Sequence, residues 1–333
     1  MKLLFIFTGG TIGSAVSGDY ISTDENKPYE LIETYRKRYG LECYYDIMTP
    51  YTELSEQNTG VTVSKLIACV CDAIDNGGKD GAYDGIIVTH GTDTLPYSAA
   101  ALSYALGNDS IPVCIVSSNY PITDHRANGV DNLYGAIKLI EAGRCAACRG
   151  VFVSYRNHDG VTYLHRASRL LETPAFSDEY LSVRNEYYGK IVNDTFHKNP
   201  EYKENADKLE PMGAVALKDI CGGITRYHLY PGIRLEEASE CILLESFHSG
   251  TMNTKLTDYQ RYFEKMYEQG VPVYLTGLTR GVSYESTSLY EKLHIQPVYD
   301  IAPVAAYMKL WMLMAAGRKW SADMLNLPLG GDM

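Results

Sequence analysis

Two segments of this chain combine hydroxyls with glycine, Thr8-Gly9-Gly10-Thr11-Ile12-Gly13-Ser14 and Thr89-His90-Gly91-Thr92-Asp93-Thr94, and the second adds a carboxylate. Each directly follows an apolar run. Glycines let the backbone turn sharply and bring its N–H groups close to an anion, so the first segment suits a ligand carboxylate or a developing oxyanion. It lacks the G-x-G-x-x-G spacing of a dinucleotide site and the Lys of a phosphate loop, which argues against a nucleotide. Taken singly, each segment has an equally good structural reading, in which hydroxyls cap the next helix and glycines only turn the chain. As a pair at the carboxyl ends of two strands of one parallel sheet, they would flank a single small polar substrate.

The elements needed for that placement are legible in the pattern. Lys2 to Phe7 is an apolar strand, and Pro28-Tyr29-Glu30-Leu31-Ile32 opens a helix with proline in its first turn. Val61 to Ile74 has a helical rhythm, and Gly85 to Thr89 is apolar without alternation, as in a parallel strand buried on both faces. A helix at Tyr97 to Leu106, a strand at Ile111 to Ser118, a helix at Asn132 to Ala142 and a strand at Gly150 to Tyr155 continue the series. Asn157 to Lys208 turns polar, as in a lid, crossover or linker, with room for a hairpin at Val161 to Leu164. Strands at Ile224 to Tyr230, Cys241 to Glu245 and Val271 to Thr276 then alternate with helices at Tyr259 to Glu268 and Ala302 to Ala315. The expected fold is α/β, with a larger N-terminal domain holding a mainly parallel sheet (residues 1–195), a linker (196–215) and a smaller C-terminal α/β domain (216–333).

The chain has 333 residues, and 30 Lys+Arg against 41 Asp+Glu give a formal charge of −11. That balance argues against nucleic acid or an anionic membrane as partner, and an apolar share of 45% excludes disorder as the dominant state. The apolar start, Leu3 to Phe7, is far too short to span a bilayer and has no small-residue cleavage site. The 8 cysteines are grouped neither as a disulfide scaffold nor as a zinc site, which favours reduced thiols in a cytoplasmic protein. Cys145 and Cys148 have redox spacing, against the plainer reading of a buried helix end or strand. The histidines are scattered without H-E-x-x-H spacing, and neither metal nor another cofactor is required.

With both motifs in view, the sequence resembles the bacterial-type L-asparaginases, especially the cytoplasmic type I branch, whose signatures are TGGTI and HGTDT. The likeness extends to Ser117-Ser118-Asn119-Tyr120-Pro121, Leu229-Tyr230-Pro231-Gly232-Ile233 and the late helix around Ala306 to Leu310. The resemblance implies that Thr11 is the nucleophile on the amide carbonyl, that Tyr20 stands on the following loop, and that Thr92 is the second threonine. It implies that Asp93 holds the substrate's α-amino group and that Ser55, with Glu56 beside it and Gly91 nearby, binds the α-carboxylate. The chemistry suits these types: a hydroxyl forms an acyl intermediate, ammonia leaves, and water regenerates the threonine. His90 is expected to be a packed, hydrogen-bonded loop residue instead of a base.

The sequence departs from the family at one position. The family's lysine in R-G-x-R-x-x-K falls on Glu172 in Arg166-Ala167-Ser168-Arg169-Leu170-Leu171-Glu172. This exchange reverses a charge beside Asp93, and would raise carboxylate pKa values if both groups were buried; alternatively a shifted gap lets Arg166 or Arg169 supply the cation. The loop His248 to Thr254 resembles one near a type I effector site, but its residues are changed and an ordinary turn is expected. The function implied is hydrolysis of L-asparagine to L-aspartate and ammonia, with L-glutamine as a slower substrate, by a cytoplasmic homodimer or homotetramer. The alternatives are an amidohydrolase for another amide and a non-catalytic relative that binds an amino acid. A role within a transfer-RNA amidation complex is disfavoured by the absence of a basic face.

Overall fold

The computed structural model describes residues 1–333 except 11, 13, 18–19, 24–26, 41–42, 80, 144–147 and 237, and gives the backbone course alone for 14–17, 20–23 and 27–29. Strand and helix alternate through β1 (Lys2–Phe7), the hairpin β2 (Ser14–Ser17) and β3 (Tyr20–Thr23), α1 (Lys27–Tyr39), β4 (Tyr44–Met48), α2 (Gly60–Asn76), β5 (Gly85–Thr89) and α3 (Leu95–Leu106). There follow β6 (Val113–Val116), α4 (Gly129–Gly143), β7 (Val151–Arg156), β8 (Thr162–Arg166), β9 (Gly189–Val192) and β10 (Thr195–Lys198). These strands, the β2–β3 hairpin apart, form one eight-stranded sheet in the order β10-β9-β8-β7-β6-β5-β1-β4. It is parallel from β4 to β7 and antiparallel from β7 to β10.

Because successive side chains of a strand point to opposite faces, the apolar runs of β1 and β5 serve two cores. Leu4, Ile6, Ile86 and Val88 pack with Val63 and Leu66 of α2 and Leu102 of α3. Leu3, Phe5 and Ile87 pack on the other face with Leu31 and Tyr35 of α1 and Leu133 of α4.

A second sheet holds β11 (Ile224–His228), β12 (Cys241–Glu245), β13 (Val273–Leu278) and β14 (Ile295–Tyr299), all parallel and in that order. Its outer face packs on α5 (Thr257–Glu268), while Leu243, Tyr274 and Val298 join α6 (Pro303–Ala315) in the core that also contains α3. A short α7 (Ala322–Leu325) precedes the C-terminal turns. Residues 199–223 separate the last strand of the first sheet from the first strand of the second.

The polar stretch from Asn157 to Lys208 is not a lid or linker alone, for it contributes β8, β9 and β10 to the large sheet. The hairpin expected at Val161 to Leu164 falls on β8, whereas β9 and β10 went unread because most of their residues are half-buried or exposed and no apolar run marks them. Strands β4 and β14 also escape the sequence reading, since β4 is half-exposed along its length and β14 contains Gln296 and Pro297.

His165 of β8 is buried, with Nδ1 2.8 Å from Ser182 Oγ. Burial lowers its pKa from 6.5 to about 4. Between those values the unfolded chain binds a proton that the folded chain refuses, so stability falls as pH drops below 6.5 and is constant above it. The full loss is about 3 kcal/mol. Urea unfolding at pH 7 and pH 5 is expected to show much of this drop, and His165→Gln is expected to reduce it.

A buried ion pair fastens the end of the chain. Lys309 of α6 and Asp332, both fully buried, meet at 2.7 Å; Lys309 also donates to the carbonyls of Leu325 (3.2 Å) and Leu327 (2.5 Å). Tyr104 and the Leu329 amide donate to Asp332. Lys309→Met would leave a buried carboxylate without its counter-ion, and a loss of about 3–5 kcal/mol is expected in urea unfolding. Lys309→Met with Asp332→Leu should recover much of it.

Candidate active site

Three loops converge at the carboxyl ends of β1 and β5. The Thr8 hydroxyl donates to the Thr89 carbonyl at 2.6 Å, tying the two strand ends together. Gly9 and Gly10 pass beside Glu53, whose carbonyl accepts from the Gly10 amide at 3.0 Å and whose own amide donates to the Thr8 carbonyl at 3.1 Å. Gly10 has φ +74, and a Cβ there would lie 2.4 Å from the Gly91 nitrogen. A Cβ on Gly91 would meet Ser55 Oγ at 2.5 Å. The sequence therefore supplies glycine where two backbones touch.

Ser55 sits in a short turn at 55–57 and is buried beneath the second motif. Its hydroxyl accepts from the Asp93 amide and donates to Asp93 Oδ2, both at 3.2 Å. The Thr94 hydroxyl donates to the Ser55 carbonyl at 2.8 Å and accepts from Asn58 Nδ2 at 3.1 Å. Asn58 also reaches His90 Nε2 at 3.2 Å, while His90 Nδ1 lies 2.8 Å from the Gly91 carbonyl. A carbonyl only accepts, so Nδ1 carries the proton and Nε2 accepts from Asn58 and from Ser98 at 2.9 Å. Burial lowers the His90 pKa and keeps the ring neutral, which fits a packed loop residue.

Thr92 and Asp93 open onto a cavity of about 290 Å³ whose wall also includes Tyr155, Glu172, Asp178 and Tyr180. The buried Tyr180 hydroxyl donates to the Thr92 carbonyl at 2.6 Å, and its ring meets Tyr155 edge-on at 4.7 Å. Asn157 fixes the Tyr180 backbone through both its amide and its carbonyl. Among the expected site residues, the structure thus brings together Ser55, Gly91, Thr92, Asp93 and Glu172. Glu56 follows Ser55 in the same turn and is exposed. Thr11 lies outside the described residues, and so does the side chain of Tyr20, whose backbone opens β3. Cys145 lies outside them as well, while Cys148 is buried.

Glu172 is not a lone charge facing Asp93. Its carboxylate accepts from the Tyr97 hydroxyl and, at 2.6 Å, from Arg226 Nη2 of β11. Arg226 Nη1 donates to Tyr97 at 2.6 Å, and its Nε pairs with Glu245 of β12. Burial opposes the Arg226 charge, but Glu245 and Glu172 outweigh it and hold its pKa above the ordinary guanidinium value. Burial and the bond to Glu172 push Tyr97 up to about 12. Both Asp93 and Glu172 are exposed, so the burial on which the expected effect of the charge reversal was conditional is absent. Arg166 and Arg169 do not supply a cation to the cavity either: they are buried against Glu204 and Glu186.

Sequence reasoning missed Arg226, Tyr97, Tyr180 and Asn58. Arg226 comes from a strand of the other sheet, and no local pattern marks it. The loop 247–254 closes on itself through Phe247 N to the Thr251 carbonyl (3.0 Å) and Gly250 N to the Phe247 carbonyl (2.8 Å), as an ordinary turn does. Among the described residues, no group of three or more His, Cys, Asp and Glu is placed to hold a metal. No described helix is long and apolar enough to cross a membrane.

The family model described as Asparaginase, N-terminal, matches residues 2–202. A glutamyl-tRNA(Gln) amidotransferase subunit from Methanobrevibacter smithii is 27% identical over 347 residues, covering 94% of this chain and 72% of that protein. The L-asparaginase of Thermococcus kodakarensis is 32% identical over 157 residues, covering 46% of this chain and 44% of that protein. A solved structure of the thermostable L-asparaginase from the same organism superposes with a TM-score of 0.77 over 98% of this chain and 96% of that one. At 21% identity this is a likeness of fold.

Proposed function

The chain belongs to the asparaginase family and is an asparaginase-like amidohydrolase, and from that premise we propose that it hydrolyses L-asparagine to L-aspartate and ammonia. The observation that carries the reading is the junction of the two motif loops. Gly10, the residue before Thr11, lies against Gly91, and the Ser55–Asp93 pair stands directly beneath the second loop. In this reading the Thr11 oxygen attacks the side-chain amide carbon, the C–N bond breaks, and nitrogen leaves as ammonia after taking up a proton. Water then attacks the ester carbon, releasing aspartate and returning a proton to the Thr11 oxygen. Tyr20 and Thr92 serve as the hydroxyl partners of these transfers. Asp93 receives the substrate's α-ammonium, and Ser55, Glu56 and Gly91 shape the α-carboxylate end.

The proposal includes L-glutamine as a slower substrate, a cytoplasmic homodimer or homotetramer, and a catalytic domain at 1–195 joined by 196–215 to a second domain at 216–333. Two observations favour other readings. Glu172, held by Arg226, supports an enzyme for a different amide. The alignment with an amidotransferase subunit over 94% of the chain supports a component that passes ammonia to a partner protein.

Incubation of the full chain with L-asparagine, beside L-glutamine and a panel of other amides, tests these readings. Aspartate and ammonia in equal amounts from asparagine support the proposal. Turnover of another amide alone would replace the substrate, asparagine binding without turnover would favour a binding relative, and ammonia formed only with a partner protein would favour the last reading.

A further inference from the structure

We propose that Arg226 is a positioning residue through which the second sheet holds the wall of the cavity and thereby sets affinity for the substrate. Its kinetic arm rests on the proposed function; its structural arm does not. The wall is the segment 170–182, a lip that leaves the large sheet after β8 and returns to it. Its base is closed by the Leu171 amide donating to the Leu181 carbonyl at 2.9 Å and by a bridge between Leu170 and Ser182. Its tip turns at Pro174–Ser177, where Phe176 has φ 66 and is fully exposed. Such a tip contributes little burial of its own, so the lip's place depends on what grips its flank.

Tyr180, bonded to Thr92 and Asn157, holds one flank, and Arg226 grips the other, at Glu172. Its three nitrogens each make a different contact: Nε with Glu245 of β12, Nη1 with the Tyr97 hydroxyl of α3, and Nη2 with Glu172 on the lip. The guanidinium also lies over the rings of Tyr97 and Tyr307, at 5.7 and 5.5 Å from their centroids. Tyr97 stands in the first turn of α3, shortly after Thr92 and Asp93, and Glu172 lines the cavity with both. One planar cation therefore joins the catalytic-loop side of the cavity, its outer wall and the second sheet. A lysine ammonium has neither the fork nor the plane to make these contacts together. A further tie, Arg184 to Asp300, lies just beyond the lip, and among the described residues Arg226 is the cation paired with Glu172.

The test compares wild type with Arg226→Gln, Arg226→Lys and Glu172→Gln by hydrogen exchange and by steady-state kinetics. In Arg226→Gln, amide exchange over 171–181 is expected to rise roughly tenfold or more while β12 and β13 stay protected. KM for the amide substrate is expected to rise by roughly tenfold, with kcat changed by less than about threefold. Glu172→Gln, which leaves the Arg226–Glu245 pair in place, should loosen the lip to a similar degree, and Arg226→Lys should recover only part. Unchanged exchange over 171–181 in Arg226→Gln or Glu172→Gln would overturn the proposal, as would loosening spread equally through the second sheet or a freed lip with unaltered KM. If wild type turns over no amide, the proposed function fails and the exchange result alone decides whether Arg226 holds the lip.

Discussion

Thr11→Ala is expected to abolish ammonia release from L-asparagine, by about a thousandfold or more, while the melting temperature stays within about two degrees of wild type. Removing the hydroxyl removes the atom on which the acyl group would be carried, and the Thr8 hydroxyl of the same motif is buried and already engaged with the Thr89 carbonyl. Losses of a nucleophile are among the largest single-residue effects in enzymes because the covalent route disappears outright. Thr11→Ala removes only a hydroxyl and a methyl group, so the fold should be spared. Thr11→Ser, which keeps an oxygen and loses a methyl group, should retain measurable turnover. Ammonia release by Thr11→Ala at the wild-type rate would remove Thr11 from the mechanism and leave the family membership untouched.

Gly10→Ala is expected to lower activity by about a hundredfold or more and to cost about 2–5 kcal/mol of stability. Two causes add. An alanine at φ +74 pays the left-handed penalty of roughly 1–2 kcal/mol. Its Cβ would also stand 2.4 Å from the Gly91 nitrogen and 2.5 Å from the Gly91 Cα. Those neighbours are backbone and cannot swing aside, so the two loops must part, at a typical overpacking cost of about 1–3 kcal/mol. Thr11 is the next residue, and a displacement near 1 Å is enough for roughly a hundredfold loss of rate. Gly213 gives the control: it has φ +66, and a Cβ there would meet nothing within 4 Å, so Gly213→Ala should cost about 1 kcal/mol and leave activity intact. Melting curves and initial rates on the two variants separate strain from loop contact, and full activity in Gly10→Ala would mean that the contact does not place the nucleophile.

Particular residues show how far the sequence reached. The unbroken apolar run of Ile86, Ile87 and Val88 could be read as a strand covered on both faces, and Pro28 marked the first turn of a helix. In contrast, β9 and β10 read as part of a polar connection, with only β8 touched by the hairpin expected at Val161 to Leu164. Most residues of β9 and β10 are half-buried or exposed, which removes the hydrophobic periodicity on which the reading depends.

At the site, the two motifs were legible from residue types, and the substitution at Glu172 from the resemblance to the family. What Glu172 does was not. Its charge suggested a conflict with Asp93, but its partners come from α3 and from a strand of the other sheet, Tyr97 and Arg226. The sequence by itself determined the α/β alternation and the two motif loops, because those follow from local periodicity and from short runs of glycine and hydroxyl residues. Only the tertiary structure decided that Gly10 touches Gly91, that Ser55 serves Asp93, and that a cation from the second sheet answers Glu172. Electrostatic pairing and close approach act through space over a few ångströms, and the chain separation of the partners carries no trace of them.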